Sequence, residues 1–136
     1  IRQAEYMTWP RGFAAAESLW SPRENKDWDK FVSKTEDHFK RFDYAKTKYS
    51  PAIYDPSISV TKEGDDYYIT LTPEIKGLDI YTSFDASTPD NFYPKYTEAQ
   101  KIPKDADIMR IITYRGDKPI GRLISIPVED LRKRVR

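Results

Sequence analysis

Residues 1–50 repeat their apolar positions at helical spacing, and residues 57–127 alternate them, so the chain predicts two differently built halves. In the stretch from Tyr6 to Pro22, Trp9, Phe13, Ala16 and Trp20 recur at three- and four-residue steps. Ala14, Ala15 and Leu19 widen that stripe most of the way around the cylinder. A helix apolar on nearly every side belongs inside a larger body. Pro10 interrupts the segment from Gln3 to Trp20, because proline breaks a helix interior and is well placed at its first position. The expectation is therefore a short helix or turn before Trp9 and a proper helix from Pro10. Ser21-Pro22-Arg23-Glu24 reads as a capping box, with Asn25 or Asp27 as other starts for the next helix. That helix is expected from Lys26 to Thr47. Trp28, Phe31, Val32, Thr35, Phe39, Phe42 and Ala45 form one stripe, and Lys30, Lys34, Asp37, Lys40 and Arg41 fill the opposite side.

Ser50-Pro51 and Asp55-Pro56 make a linker of extended and turn residues. Beyond it, Ser57–Lys62 and Tyr67–Thr72 alternate around Glu63-Gly64-Asp65-Asp66, which predicts a hairpin. Leu78–Phe84 predicts a third strand, followed by a polar loop from Asp85 to Asn91. Tyr93–Thr97 reads as a short edge strand, since Pro94 has no N–H for a central ladder. Ile108–Tyr114 and Ile120–Pro127 predict a last hairpin around Arg115–Pro119. The pattern is α+β: helices over residues 1–52, then an antiparallel β-sandwich over residues 53–136.

Composition narrows the function classes. Formal net charge is +1 over 136 residues, so no strong field recruits nucleic acid or anionic lipid. The end from Leu131 to Arg136 carries four cations without interleaved aromatics and reads as a solvated tail. With no cysteine there is no disulfide framework and no thiolate chemistry. No run approaches the ~18 apolar residues of a membrane span. The chain opens at Ile1 rather than Met, and a lost natural amino terminus is the expectation.

Candidate chemistry is sparse. His38 is the only histidine, so no His-based triad or His-pair metal site can be built within the chain, and a packed ring is the better reading. Asp65-Asp66 and Asp105/Asp107 fall in turns, where exposed carboxylates make poor general acids. Asp85, Ser87, Thr88 and Asp90 offer calcium-type oxygens, but hydrogen bonding within the turn explains the same residues. No catalytic, cofactor-binding or metal residue is assigned, and no cofactor is expected. Among the tyrosines, alternation turns Tyr68 outward with Thr70 and Thr72. Tyr81 is expected to face outward too, so these two are the candidate carbohydrate contacts.

An ordered series in the first half resembles the end of the catalytic barrel of family 20 glycoside hydrolases, the β-N-acetylhexosaminidases. The series is Trp9-Pro10-Arg11, then Ala15-Ala16-Glu17, Trp20-Ser21-Pro22, Asp27-Trp28-x-x-Phe31 and His38. The second half is similar to the sandwich domains appended to bacterial glycosidases. The stretch from Gly77 to Asp90, followed by Tyr93-Pro-x-Tyr96, looks like that family's Tyr-Thr-x-Asp-Gly-Ser-x-Pro pattern, with Ala86 in place of glycine and Phe84 where leucine is common. The hairpin around Gly116–Arg122 fits the same pattern.

The resemblance implies the helical end of a (β/α)8 barrel followed by the sandwich, and an Arg11–Glu17 ion pair. It implies a parent enzyme that removes terminal non-reducing N-acetylhexosamine by substrate-assisted retaining hydrolysis. That chemistry uses an adjacent Asp-Glu pair in a His-x-Gly-Gly-Asp-Glu stretch and a pocket-lining Trp-x-Glu. Neither motif occurs in this chain, so the piece is expected to be inactive and structural. Its partners would be the remainder of the barrel, glycans through the parent, and a second copy docked on the apolar first helix. A periplasmic or secreted location follows from the resemblance alone. The rival readings are a non-catalytic carbohydrate-binding module and an unrelated scaffold of helices plus sandwich.

Overall fold

The computed structural model describes residues 1–135, and they form two compact units, Ile1–Ile53 and one that begins at Tyr54. In the first unit, α1 (Arg2–Thr8) and α2 (Arg11–Trp20) are separated at the cis Trp9–Pro10 bond. Pro10 caps α2 rather than opening it. The expected capping box does not form. Ser21 closes α2 in an extended conformation, and Pro22 leads into a single 3-10 turn, Arg23–Asn25, that has no side-chain cap. The next helix, α3 (Trp28–Ala45), starts instead at Asp27, whose carboxylate accepts from the Lys30 amide at 3.2 Å. It ends at Lys46 in the left-handed conformation, where the Thr47 amide reaches back to the Phe42 carbonyl at 2.9 Å.

Aromatic stacking holds this unit together. Phe13 lies 4.6 Å from Trp9 and 4.6 Å from His38, ring centre to ring centre, and Phe42 closes the group at 5.5 Å from Trp9. His38 is thus a packed ring, as its helical position predicts. Gly12 admits this packing, since a Cβ there would stand 3.0 Å from the Trp9 ring. After α3 the chain returns to α1 and Trp9: the Ser50 amide donates to the Trp9 carbonyl and the Lys48 amide to Glu5. Arg11 and Glu17 do not form the expected ion pair. Six positions of helix set them about 120° apart around α2.

The second unit carries seven strands among its described residues. Strands β1 (Ser57–Glu63), β2 (Asp66–Thr72) and β4 (Gln100–Lys101) form one antiparallel sheet in the order β1-β2-β4. Strand β5 (Ile108–Arg115) is central in the other sheet. It pairs with β3 (Asp79–Ser83) on one edge, and with β6 (Lys118–Pro119) and β7 (Ile124–Pro127) on the other. Gly64 and Gly116 each take a positive φ, 60° and 61°, as the first residue of a two-residue loop followed by aspartate. The expected last hairpin is interrupted: the Ile120 and Gly121 amides both donate to the Thr113 carbonyl, a bulge that splits β6 from β7.

Both sheets contribute to one core, an arrangement consistent with a β-sandwich. Val60, Ile69 and Leu71 come from the first sheet, and Ile80, Met109, Ile111 and Ile126 from the second. Two expectations need correction here. The segment Tyr93–Thr97 pairs with β3 only through a bridge from Lys95 to Tyr81. The basic end is not a free tail: α4 (Val128–Arg132) places Val128 and Leu131 in the core, and Val135 bridges to Val60. Arg136 lies outside the described residues.

Candidate functional site

In the first unit, neither α1 nor α2 has a buried residue. The α2 stripe that faces α3 is spent on Phe13. The rest of the apolar surface stays open: Leu19 is 82% exposed, Trp20 87% and Trp28 46%. Two grooves run beside these side chains. One of about 360 Å³ is lined by Ala14, Ser18, Lys26, Trp28 and Phe31. The other, about 220 Å³, is lined by Phe13, Ala16, Trp20, Thr35 and His38. Thr35 is buried there, and its hydroxyl has no hydrogen-bond partner. Exposed apolar side chains of this size beside apolar grooves suit an interaction face better than a solvated one.

The second unit has a cleft of about 860 Å³ beside β3 and β4. Its lining includes Thr82, Phe84, Asp85, Tyr93, Gln100 and Asp105. A hydrogen-bonded chain fixes two of these groups. Asp85 accepts from both the Ser87 amide and the Ser87 hydroxyl. The Ser87 hydroxyl has one hydrogen, so the Tyr93 hydroxyl 2.6 Å away is the donor to it. These bonds from Ser87 hold the Asp85 carboxyl below its ordinary range, against a smaller opposing effect of burial. Across the cleft the Thr82 hydroxyl donates to the Gln100 carbonyl oxygen at 2.9 Å. Lys101 is drawn toward Asp66 at 2.6 Å, which lowers the Asp66 pKa and raises its own.

The structure separates the two predicted carbohydrate contacts. Tyr68 is half-buried on β2, opposite Lys101. Tyr81 does not face outward. It is 2% exposed and meets Tyr114 edge-on at 5.2 Å, so its ring has no free face. Alternation correctly puts Ile80 and Tyr81 on opposite faces of β3, but both faces are covered. Asp85, Ser87, Thr88 and Asp90 act as turn formers: Asp90 accepts from the Phe92 amide at 2.9 Å, and Thr88 faces the Arg110 guanidinium at 3.3 Å. A cation in that position would repel a metal ion. Among the described residues, no three His, Cys, Asp or Glu side chains converge as metal ligands, and no helix is long and apolar enough to cross a membrane.

Every carboxylate with a resolved shift, at Asp66, Asp85 and Glu129, moves toward its ionised form, and each does so chiefly through a side-chain hydrogen bond. A general acid at neutral pH needs the opposite shift. Sequence reasoning missed the cleft formed by Tyr93, Gln100 and Asp105, because these positions fall in loops or a two-residue strand with no period of their own. No protein-family model and no curated protein matches the chain.

Proposed function

We propose that this chain is the carboxy-terminal part of a family 20 β-N-acetylhexosaminidase and that its role there is structural. The parent would hydrolyse terminal non-reducing N-acetylhexosamine from glycans, with the substrate's acetamido group as nucleophile. The helices would be the closing segment of the catalytic barrel, and the remainder of that barrel would cover Leu19, Trp20 and Trp28. The observation that carries this reading is the exposure of those three side chains, which lie in the same segment as the residues of the resemblance. A helix pair that buries so little of its own apolar surface calls for a larger partner. The carboxylates support it from the other side, since those with resolved shifts are held ionised and unsuited to protonating a leaving group. A periplasmic or secreted location belongs to the same proposal.

The test is the reading frame and its product. Upstream of Ile1 the coding DNA should encode, in frame, a Trp-x-Glu and an adjacent Asp-Glu pair. The extended protein should release p-nitrophenol from p-nitrophenyl N-acetyl-β-glucosaminide, and the 136-residue chain alone should release none. A start codon at Ile1 with neither motif upstream would overturn the proposal. In that case a second copy of the chain becomes the candidate cover for the Trp20 face, and sedimentation would detect the dimer.

A further inference from the structure

The cleft beside β3 and β4 is built more deliberately than a gap between loops would be. It is a broad cleft of about 860 Å³, largely open to solvent. The Tyr93–Ser87–Asp85 chain holds an aromatic ring and an ionised carboxylate side by side before any ligand arrives. One Asp85 oxygen receives both bonds from Ser87, which leaves the other for a ligand. Gln100 accepts from Thr82 through its carbonyl oxygen, so both hydrogens of its amide nitrogen remain to be donated. Asp105 adds a second carboxylate with no partner among the described residues, and Phe84 a second aromatic surface.

The chemistry of this set selects a ligand class. Two carboxylates disfavour an anion. Lys101 is already paired with Asp66, and a simple cation would leave the free Gln100 donors unused. A neutral ligand with several hydroxyls and apolar C–H faces satisfies all of them: hydroxyls donate to Asp85 and Asp105 and accept from Gln100, while C–H groups lie on Tyr93. We propose that this cleft is a binding site for a neutral carbohydrate, with Tyr93, Asp85, Gln100 and Asp105 as its contacts. The proposal does not rest on the hexosaminidase reading, because it asks for no catalysis and no partner chain.

Amide chemical shifts of the 136-residue chain test it, with chitotriose, cellotriose and maltotriose as probes and trilysine as the cationic control. At least one trisaccharide should produce saturable shifts at Phe84, Gln100 and Asp105. Tyr93→Ala should weaken that binding by about tenfold or more, whereas Tyr93→Phe, which keeps the ring and loses only the bond to Ser87, should weaken it less. Asp105 is exposed and unpartnered, so Asp105→Asn leaves the fold intact and should also lower the affinity. Tyr68→Ala should not change it. The proposal fails if no trisaccharide shifts the cleft, if the shifts centre on Tyr68 with the cleft silent, if Asp105→Asn binds as well as the parent, or if trilysine alone shifts these residues.

Discussion

The helical unit and the sandwich unit treat their apolar residues in opposite ways. The sandwich gathers ten buried side chains into one cluster, several of them with no exposed surface at all. Exposed large hydrophobics among its described residues are confined to Phe92, Leu123 and Val135. The shorter helical unit leaves Ile1, Met7, Leu19, Trp20, Trp28 and Tyr44 exposed, and the only large apolar side chains buried in its longest helix are Val32 and Phe39, beside Thr35. The difference teaches that helix formation and core formation are separate achievements. Aromatic stacking and amphipathic spacing, with a side-chain cap on α3 alone, accompany α1–α3, yet they leave apolar surface in water. The sandwich closes on itself because each sheet supplies the cover for the other.

The sharpest way to break this contrast is to empty the better core. Met109→Ala should destabilise the sandwich by ~2–5 kcal/mol, since the side chain is fully buried and its removal leaves a cavity. Urea unfolding followed by tyrosine fluorescence would measure it. A smaller effect of opposite sign is expected at Ala86, which holds a φ of 61° that an L-residue adopts at a cost of ~1–2 kcal/mol. Ala86→Gly should relieve part of that strain and raise the unfolding midpoint, by about 1 kcal/mol or less after the entropy of the freer unfolded chain is counted. In the helical unit, Trp20→Ser should change stability by no more than ~0.5 kcal/mol, because nothing is packed against most of the ring. It should nevertheless reduce binding of a hydrophobic dye. Should Trp20→Ser cost as much as Met109→Ala, the two units would not differ as described.

The faintest signal expected is electrostatic. Lys101 lowers the pKa of Asp66, so the pair's contribution is present above the ordinary aspartate range near pH ~4 and is lost as pH falls through the lower folded value. Lys101 itself is raised, so its share persists below its ordinary pKa and disappears only as pH rises through the higher folded value. Stability in Lys101→Met should therefore lose a small acid-side dependence and remain flat through neutrality. The effect is small because both groups are partly exposed to solvent.

Much of this architecture was legible in the residues, and the exceptions share physical causes. Alternation around Gly64 was enough to place β1 and β2, and Asp27 was a readable helix start. Ser21 and Glu24 had the spacing of a capping box, but Pro22 in an extended conformation prevented the helical turn that would have brought them together. Tyr81 shows the limit of a period of two: it assigns faces and is silent on whether the second face is covered. Leu131 was hidden by its surroundings, because two apolar side chains in a five-residue helix that runs into a basic end are too few to show a period. The cleft residues were illegible for a related reason. Tyr93, Gln100 and Asp105 are brought together by loops, and no local pattern encodes that meeting. The part of the resemblance that concerns catalysis rests on motifs this chain does not contain.

The position of Leu131 in the core also sets an order of events during synthesis. Translation delivers β1 and β2 first, with Val60, Ile69 and Leu71 lacking their opposite layer. Roughly 60 more residues must emerge before β7 and α4 can close over them. At ribosomal speeds of about 5–20 residues per second, that interval lasts roughly 3–12 s. For those seconds the nascent hairpin presents to water the apolar face that the finished unit buries.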